Sequence, residues 1–125
     1  MSKTFYITTP IYYPSAKPHM GHAYSSIIAD FFARFKSMDD HEVYFLTGTD
    51  EHGLKIQRSA EKVGREPKEF CDQISQTFKD LSKTLNLSNT DFIRTTEDRH
   101  KKTVQHLWSL LEKNDEIYLS NYSGW

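Results

Sequence analysis

Hydrophobic and polar positions alternate between two periods along this chain. Thr4–Thr8 (TFYIT) is a short aromatic and β-branched run stopped by Pro10, which predicts a strand running into a loop, PIYYPSAKP. From Ala23 the apolar residues Ile27, Ile28, Phe31, Phe32 and Phe35 recur at helical spacing. That spacing predicts a helix that buries this stripe and exposes Asp30, Arg34 and Lys36. Val43–Leu46 has the length and composition of a second strand, leaving through a polar turn from Thr47 to Gly53. A short amphipathic helix is expected over Leu54–Val63, with Gly64 suited to the left-handed residue after its end. Pro67 fits the first turn of a longer helix whose core stripe is Phe70, Ile74, Phe78, Leu81 and Leu85. Phe92–Arg94 is a brief third strand. Thr96 as cap, with Glu97 and Asp98 behind it, predicts a last helix that buries Val104, Leu107, Trp108 and Leu111. Ile117–Leu119 is a further short apolar run, so three or four strands are expected.

Strands that alternate with helices of this length predict an α/β fold with a parallel, Rossmann-like sheet. Parallel strands need such crossovers, and helices cover the sheet. Such a sheet usually carries about five or six strands built from two halves. The chain therefore reads as the amino-terminal half only of such a fold. With 125 residues there is room for one compact domain. Lys+Arg 16 against Asp+Glu 17 leaves a formal net charge of -1, which disfavours a dedicated basic nucleic-acid module. No run of roughly 18 apolar residues predicts a membrane span. The opening MSKTFYITTP lacks the apolar core of a secretory signal, and the lone Cys71 permits neither an internal disulfide nor a cysteine-based zinc site. A cytoplasmic setting is expected.

In open parallel sheets ligands sit beyond the carboxyl ends of the strands, and two unusual clusters fall there. One is Pro18, His19, Met20, Gly21 and His22; the other is Thr47–Gly53. In the first, helix-opening amides and two imidazoles offer donors to an anion, and Gly21 lets a ligand approach the backbone, a combination suited to the phosphates of a nucleotide. A rival reading joins His19, His22 and His52 to a metal, but the glycine and the strand-exit position favour phosphate. Asp50 could cap the short helix near Leu54 or hold a ligand's ammonium; the two roles are compatible.

TPIYY after a strand, PHMGH opening a helix and FLTGTDEHG after the second strand resemble the amino-terminal half of the catalytic domain of class I aminoacyl-tRNA synthetases, specifically the methionyl-tRNA synthetase family. KIQRSAEKVG, DFIRTTEDRHKK and the closing GW extend the resemblance over essentially the whole chain. Met20 stands where Ile or Leu is more usual, a volume-conserving exchange. The resemblance implies an ATP-dependent ligase that forms methionyl-adenylate, releases pyrophosphate and passes methionine to tRNA. It implies that His19 and His22 act catalytically, donating to ATP phosphate oxygens, with Gly21 completing the ATP site. Ile11, Tyr13 and Asp50 would bind methionine, Asp50 through its ammonium; Trp125 receives no role. Magnesium would accompany ATP. The family's zinc-bearing insertion, its Lys-Met-Ser-Lys-Ser signature and its anticodon-binding helical domain are not within these residues, so most tRNA contacts would lie elsewhere and the chain alone would be catalytically negligible. Two other functions fit part of the pattern: a small nucleotidyltransferase, which would not bind free methionine, and a non-catalytic nucleotide-binding module, indifferent to His19 and His22.

Overall fold

A computed structural model describes residues 3–123 of the chain; the GW of the resemblance, with Trp125, lies outside them. The order is β1 (Lys3–Thr8), α1 (Met20–Met38), β2 (His41–Thr49), α2 (Leu54–Lys62), α3 (Pro67–Thr84), β3 (Asp91–Arg94) and α4 (Asp98–Lys113). The described chain forms two compact units divided after Thr95. In the first, three strands form a parallel sheet in the order β1-β2-β3. Both crossovers step in the same direction, and parallel crossovers are right-handed, so α1 and α3 share one face of the sheet. The other face shows Tyr6 and Tyr44 to solvent.

The α/β reading holds, with three strands among the described residues: Ile117–Leu119 makes no strand. β2 runs three residues beyond the expected end, because Thr47, Gly48 and Thr49 pair with Phe92, Ile93 and Arg94 instead of forming a turn. Gly48 makes this possible. A Cβ built there would stand 2.0 Å from the Ile93 carbonyl oxygen, so only glycine lets the two backbones meet at that point. Past the strand end, Tyr12 and Thr49 form an isolated bridge that ties the loop after β1 to β2.

α1 faces the opposite way from the expectation. Ala23, Ser26, Ala29, Asp30 and Ala33 are its buried residues. Ile27, Ile28, Phe31, Phe32 and Phe35 are all exposed, Phe31 at 64%. Small side chains let the helix come close to the sheet, where Ala29 and Ala33 pack on Phe45 with Ile7 and Val43 alongside. Asp30 is buried because it works as a tether: Oδ1 accepts from the Ser88 amide and hydroxyl, both at 2.6 Å, and Oδ2 from Arg34 Nε at 2.6 Å. Burial alone would raise its carboxyl pKa, yet the hydrogen bonds from Ser88 and then Arg34 hold it below the usual aspartate value.

α3 buries Phe70 and Phe78 as expected, and a second core joins Ile56, Ala60, Phe70 and Cys71, with Ile74 packed against it. Gly64 takes the left-handed conformation after α2, at φ +66°. α2 starts from Gly53 with no side-chain cap, so Asp50 does not cap it. α4 differs in two respects. Its N-cap residue is Glu97, without a side-chain cap bond, where Thr96 was expected. The stripe Val104, Leu107, Trp108 and Leu111 is exposed rather than core, since a single amphipathic helix finds no second apolar layer within its own unit. No helix among the described residues is long and apolar enough to cross a membrane.

Candidate active site

The helix at the PHMGH segment begins three residues earlier than the apolar spacing suggests, and the two histidines are the reason. His19, in extended conformation, is the N-cap residue of α1. Its Nδ1 accepts from the Gly21 amide at 3.1 Å, while Nδ1 of His22 accepts from the His19 amide at 3.0 Å. The pair therefore closes a reciprocal capping box of the kind usually made by a hydroxyl and a carboxamide or carboxylate. With both Nδ1 atoms acting as acceptors, each neutral ring carries its proton on Nε2. Two N–H donors are thus fixed in tautomer by the backbone at the amino end of a helix, where the dipole favours an anion. The rings lie 3.9 Å apart between centroids. A Cβ on Gly21 would stand 2.9 Å from His19 Cε1, so a side chain there would push the capping ring out of place.

Burial, and then the neighbouring His19, push the His22 pKa below its ordinary 6.5. The unfolded chain therefore takes up this proton first as pH falls. The stability tied to the neutral ring is complete above pH 6.5 and declines as pH drops through the lowered folded-state value. An NMR titration of the ring should place the His22 midpoint below 6.5; a midpoint at or above that value would contradict the burial argument.

Tyr12 holds the pair from behind. Its ring meets His22 edge-on at 4.8 Å and stacks on Phe78 at 5.5 Å, and its hydroxyl lies 2.8 Å from Ser25 Oγ and 3.0 Å from Ser26 Oγ. The same residue's carbonyl accepts from the Asp50 amide at 2.8 Å, and its amide donates to the Gly48 carbonyl at 3.1 Å. One residue thus fixes both the His22 ring and the backbone at Asp50.

Ile11, Tyr13, His19 and His22 line one open cavity of about 350 Å³, together with Lys17 and Lys55. Sequence reasoning singled out the first four; Lys17 stands in the same loop but was missed because a single lysine carries no local pattern, and Lys55 because it lies in α2, far along the chain from that loop. Gly21 and Asp50 do not line this cavity. Asp50 stands after the end of β2, with Thr95 Oγ1 at 3.5 Å from its Oδ1. Beside it, Glu51 is buried and paired to Arg94. Among the described residues no group of three or more His, Cys, Asp or Glu side chains is placed to hold a metal ion. Cys71 is fully buried, and desolvation with the nearby Glu51 carboxylate raises its thiol pKa to about 11, so it is an inert core residue.

A parallel sheet with two helix-capping imidazoles and a lysine-bearing cavity beside them defines the class: an α/β domain whose unusual polar residues gather at the strand exits, where open parallel sheets commonly bind their ligands. The family model for class I tRNA synthetases (M) matches residues 5–125, and the chain belongs to that family. It is 53% identical over 124 residues to the mitochondrial methionine–tRNA ligase of Takifugu rubripes, covering 99% of this chain and 21% of that protein. It is 52% identical over 122 residues to the methionine–tRNA ligase of Listeria innocua, covering 98% of this chain and 18% of that one. Among solved structures, Mycobacterium tuberculosis methionyl-tRNA synthetase in complex with methionyl-adenylate superposes with a TM-score of 0.94 at 45% identity, over 98% of this chain and 24% of the other. The chain thus spans about a fifth of the length of the curated relatives it matches.

Proposed function

We propose that residues 1–125 are the amino-terminal part of the catalytic domain of a methionine–tRNA ligase and carry the half of its site that activates methionine. The observation that supports this best is the pair of backbone-locked imidazoles, both lining the cavity that Ile11 and Tyr13 also line. In the reaction, a methionine carboxylate oxygen attacks the α-phosphorus of ATP, the bond from that phosphorus to the β-phosphate oxygen breaks, and pyrophosphate leaves. No proton need be removed, since the attacking carboxylate is already ionised. What the site must supply is stabilisation of the charge that grows on the phosphate oxygens. His19 and His22 do this through Nε2–H, Gly21 completes the ATP site, and Lys17 and Lys55 add positive charge. Asp50 holds the substrate ammonium by a charge-assisted contact, while Ile11 and Tyr13 enclose the thioether side chain. Magnesium would accompany the ATP phosphates and supply further charge stabilisation there. The complete ligase then transfers methionine to tRNA. The structure solved with methionyl-adenylate, on a relative of nearly the same fold, supports the reading of this segment as part of a methionine-activating domain.

The test is a chimera in which this segment replaces the matching residues of the Listeria innocua ligase, assayed by ATP–pyrophosphate exchange. Exchange should depend on methionine. Asp50→Asn should raise the KM for methionine by about tenfold to a hundredfold, with the KM for ATP nearly unchanged, as expected for loss of one charge-assisted contact. Exchange that ignores methionine would point to a nucleotidyltransferase instead, and indifference to Asp50→Asn would remove that residue from the site.

A further inference from the structure

Glu51 and Arg94 form an ion pair for which the reaction as described has no use. The Glu51 side chain has no exposed surface and that of Arg94 has 15%. Arg94 grips the carboxylate with both arms of its fork, Nε to Oε1 at 2.6 Å and Nη2 to Oε2 at 3.0 Å, and also reaches Asp72 Oδ1 on α3 at 2.5 Å. Thr49 Oγ1 donates to Glu51 Oε1 at 2.8 Å. Hydrogen bonding to Glu51 is the main reason the guanidinium is held even more firmly protonated than usual, so Arg94 stays charged at any working pH. A buried pair of this kind is weak as a source of stability, because desolvating two charges offsets their attraction. It does fix geometry, since a two-armed fork tolerates little rotation.

What it fixes is the neighbouring residue. The Glu51 amide donates to Thr95 Oγ1 at 2.8 Å, and the Thr95 amide donates to the Thr49 carbonyl at 3.2 Å. With Glu51 N–H occupying an acceptor position on that hydroxyl, the hydroxyl proton is left for Asp50 Oδ1. Arg94 ends β3 and Thr95 follows it, Thr49 ends β2, and the segment after Thr49 has its buried carboxylate anchored on one side. We propose that the Arg94–Glu51 pair is a positioning device: by clamping Glu51 beneath the strand ends, it sets the direction in which Asp50 presents its carboxylate to the amino group of the substrate. In this role Arg94 acts through Glu51 and not on the substrate itself. The inference rests on the reading of Asp50 as the ammonium-binding residue.

The experiment uses the same chimera and compares binding of methionine with that of its hydroxy analogue, in which OH replaces the ammonium. The unaltered chimera should prefer methionine, and Asp50→Asn should remove most of that preference. Arg94→Met should then lower the preference by about tenfold, by weakening methionine while leaving the hydroxy analogue and ATP within about twofold. Arg94→Lys, which keeps the charge but not the fork, should recover part of the preference, and it supplies the measurement should Arg94→Met fail to fold. A loss shared equally by both ligands and ATP would mean that the pair serves only the fold, and would overturn the proposal. If Asp50→Asn itself leaves the preference unchanged, the underlying reading of Asp50 fails and the proposal falls with it.

Discussion

Gly48→Ala is expected to cost about 4 kcal/mol or more of folding stability, the range reached when a substitution forces backbone apart rather than nudging a side chain. The added methyl would stand 2.0 Å from the Ile93 carbonyl oxygen, 2.7 Å from Ile93 Cγ2 and 2.9 Å from the Ile93 carbonyl carbon. None of these can step aside as the tip of a lysine could. Relief requires β3 to move off β2, which breaks the Thr47–Phe92 and Thr49–Arg94 register and takes Arg94 away from Glu51. Total stabilities of roughly 5–15 kcal/mol mean that such a loss populates the unfolded chain heavily. Gly53→Ala provides the contrast: φ +109° with ψ 165° is backbone kept almost entirely to glycine, but nothing lies within 4 Å, so only backbone strain of about 1–3 kcal/mol is at stake. Urea melts of the two variants would show the difference directly, and a Gly48→Ala midpoint close to that of the unaltered protein would refute the clash.

The second large effect concerns rate. In the chimera, His19→Ala and His22→Ala should each reduce kcat for adenylate formation by about 10²–10³, the usual consequence of losing one placed donor to a developing anion. The KM for methionine should hardly move, because neither ring is assigned to the amino acid. The effects should not add, since the two rings lie 3.9 Å apart between centroids and share one capping box, so removing either disturbs the other. Each alanine also deletes a helix cap, worth about 1 kcal/mol, so melting must be followed alongside rate. His22→Gln separates the two losses: its carboxamide oxygen can replace Nδ1 as acceptor for the His19 amide, restoring the cap without restoring the imidazole donor. Stability should return with His22→Gln while most of the rate stays lost. Full recovery of rate would show that the ring acts only as a cap.

Much of this site was legible because its residues are close in sequence. His19, Gly21 and His22 fall within four positions, and Ile11 and Tyr13 lie in the loop just before them. What was hidden depends on long-range contacts. Glu51 is joined to Arg94, 43 residues away, and to Thr95 at 44, and no local pattern announces either bond. Gly48 looked like part of a turn because T-G-T is polar and small, whereas it continues a strand by admitting a neighbouring backbone. The orientation of α1 was misread for a different reason. Its large residues carry the stronger periodic signal, but Ala23, Ser26, Ala29 and Ala33 form a second face, and the helix packs through the face that allows close approach.

The inverted helix also has a calorimetric meaning. The heat-capacity step of unfolding reports apolar surface that passes from a dry interior into water, typically about 12–15 cal/mol/K per residue for a globular domain. In this chain Met20, Tyr24, Phe31, Phe35 and Met38 are already more than half in water before unfolding begins. Their transfer adds little to the step. Taken by itself, this segment therefore has a stability curve flatter than its apolar content implies, and cold weakens it less.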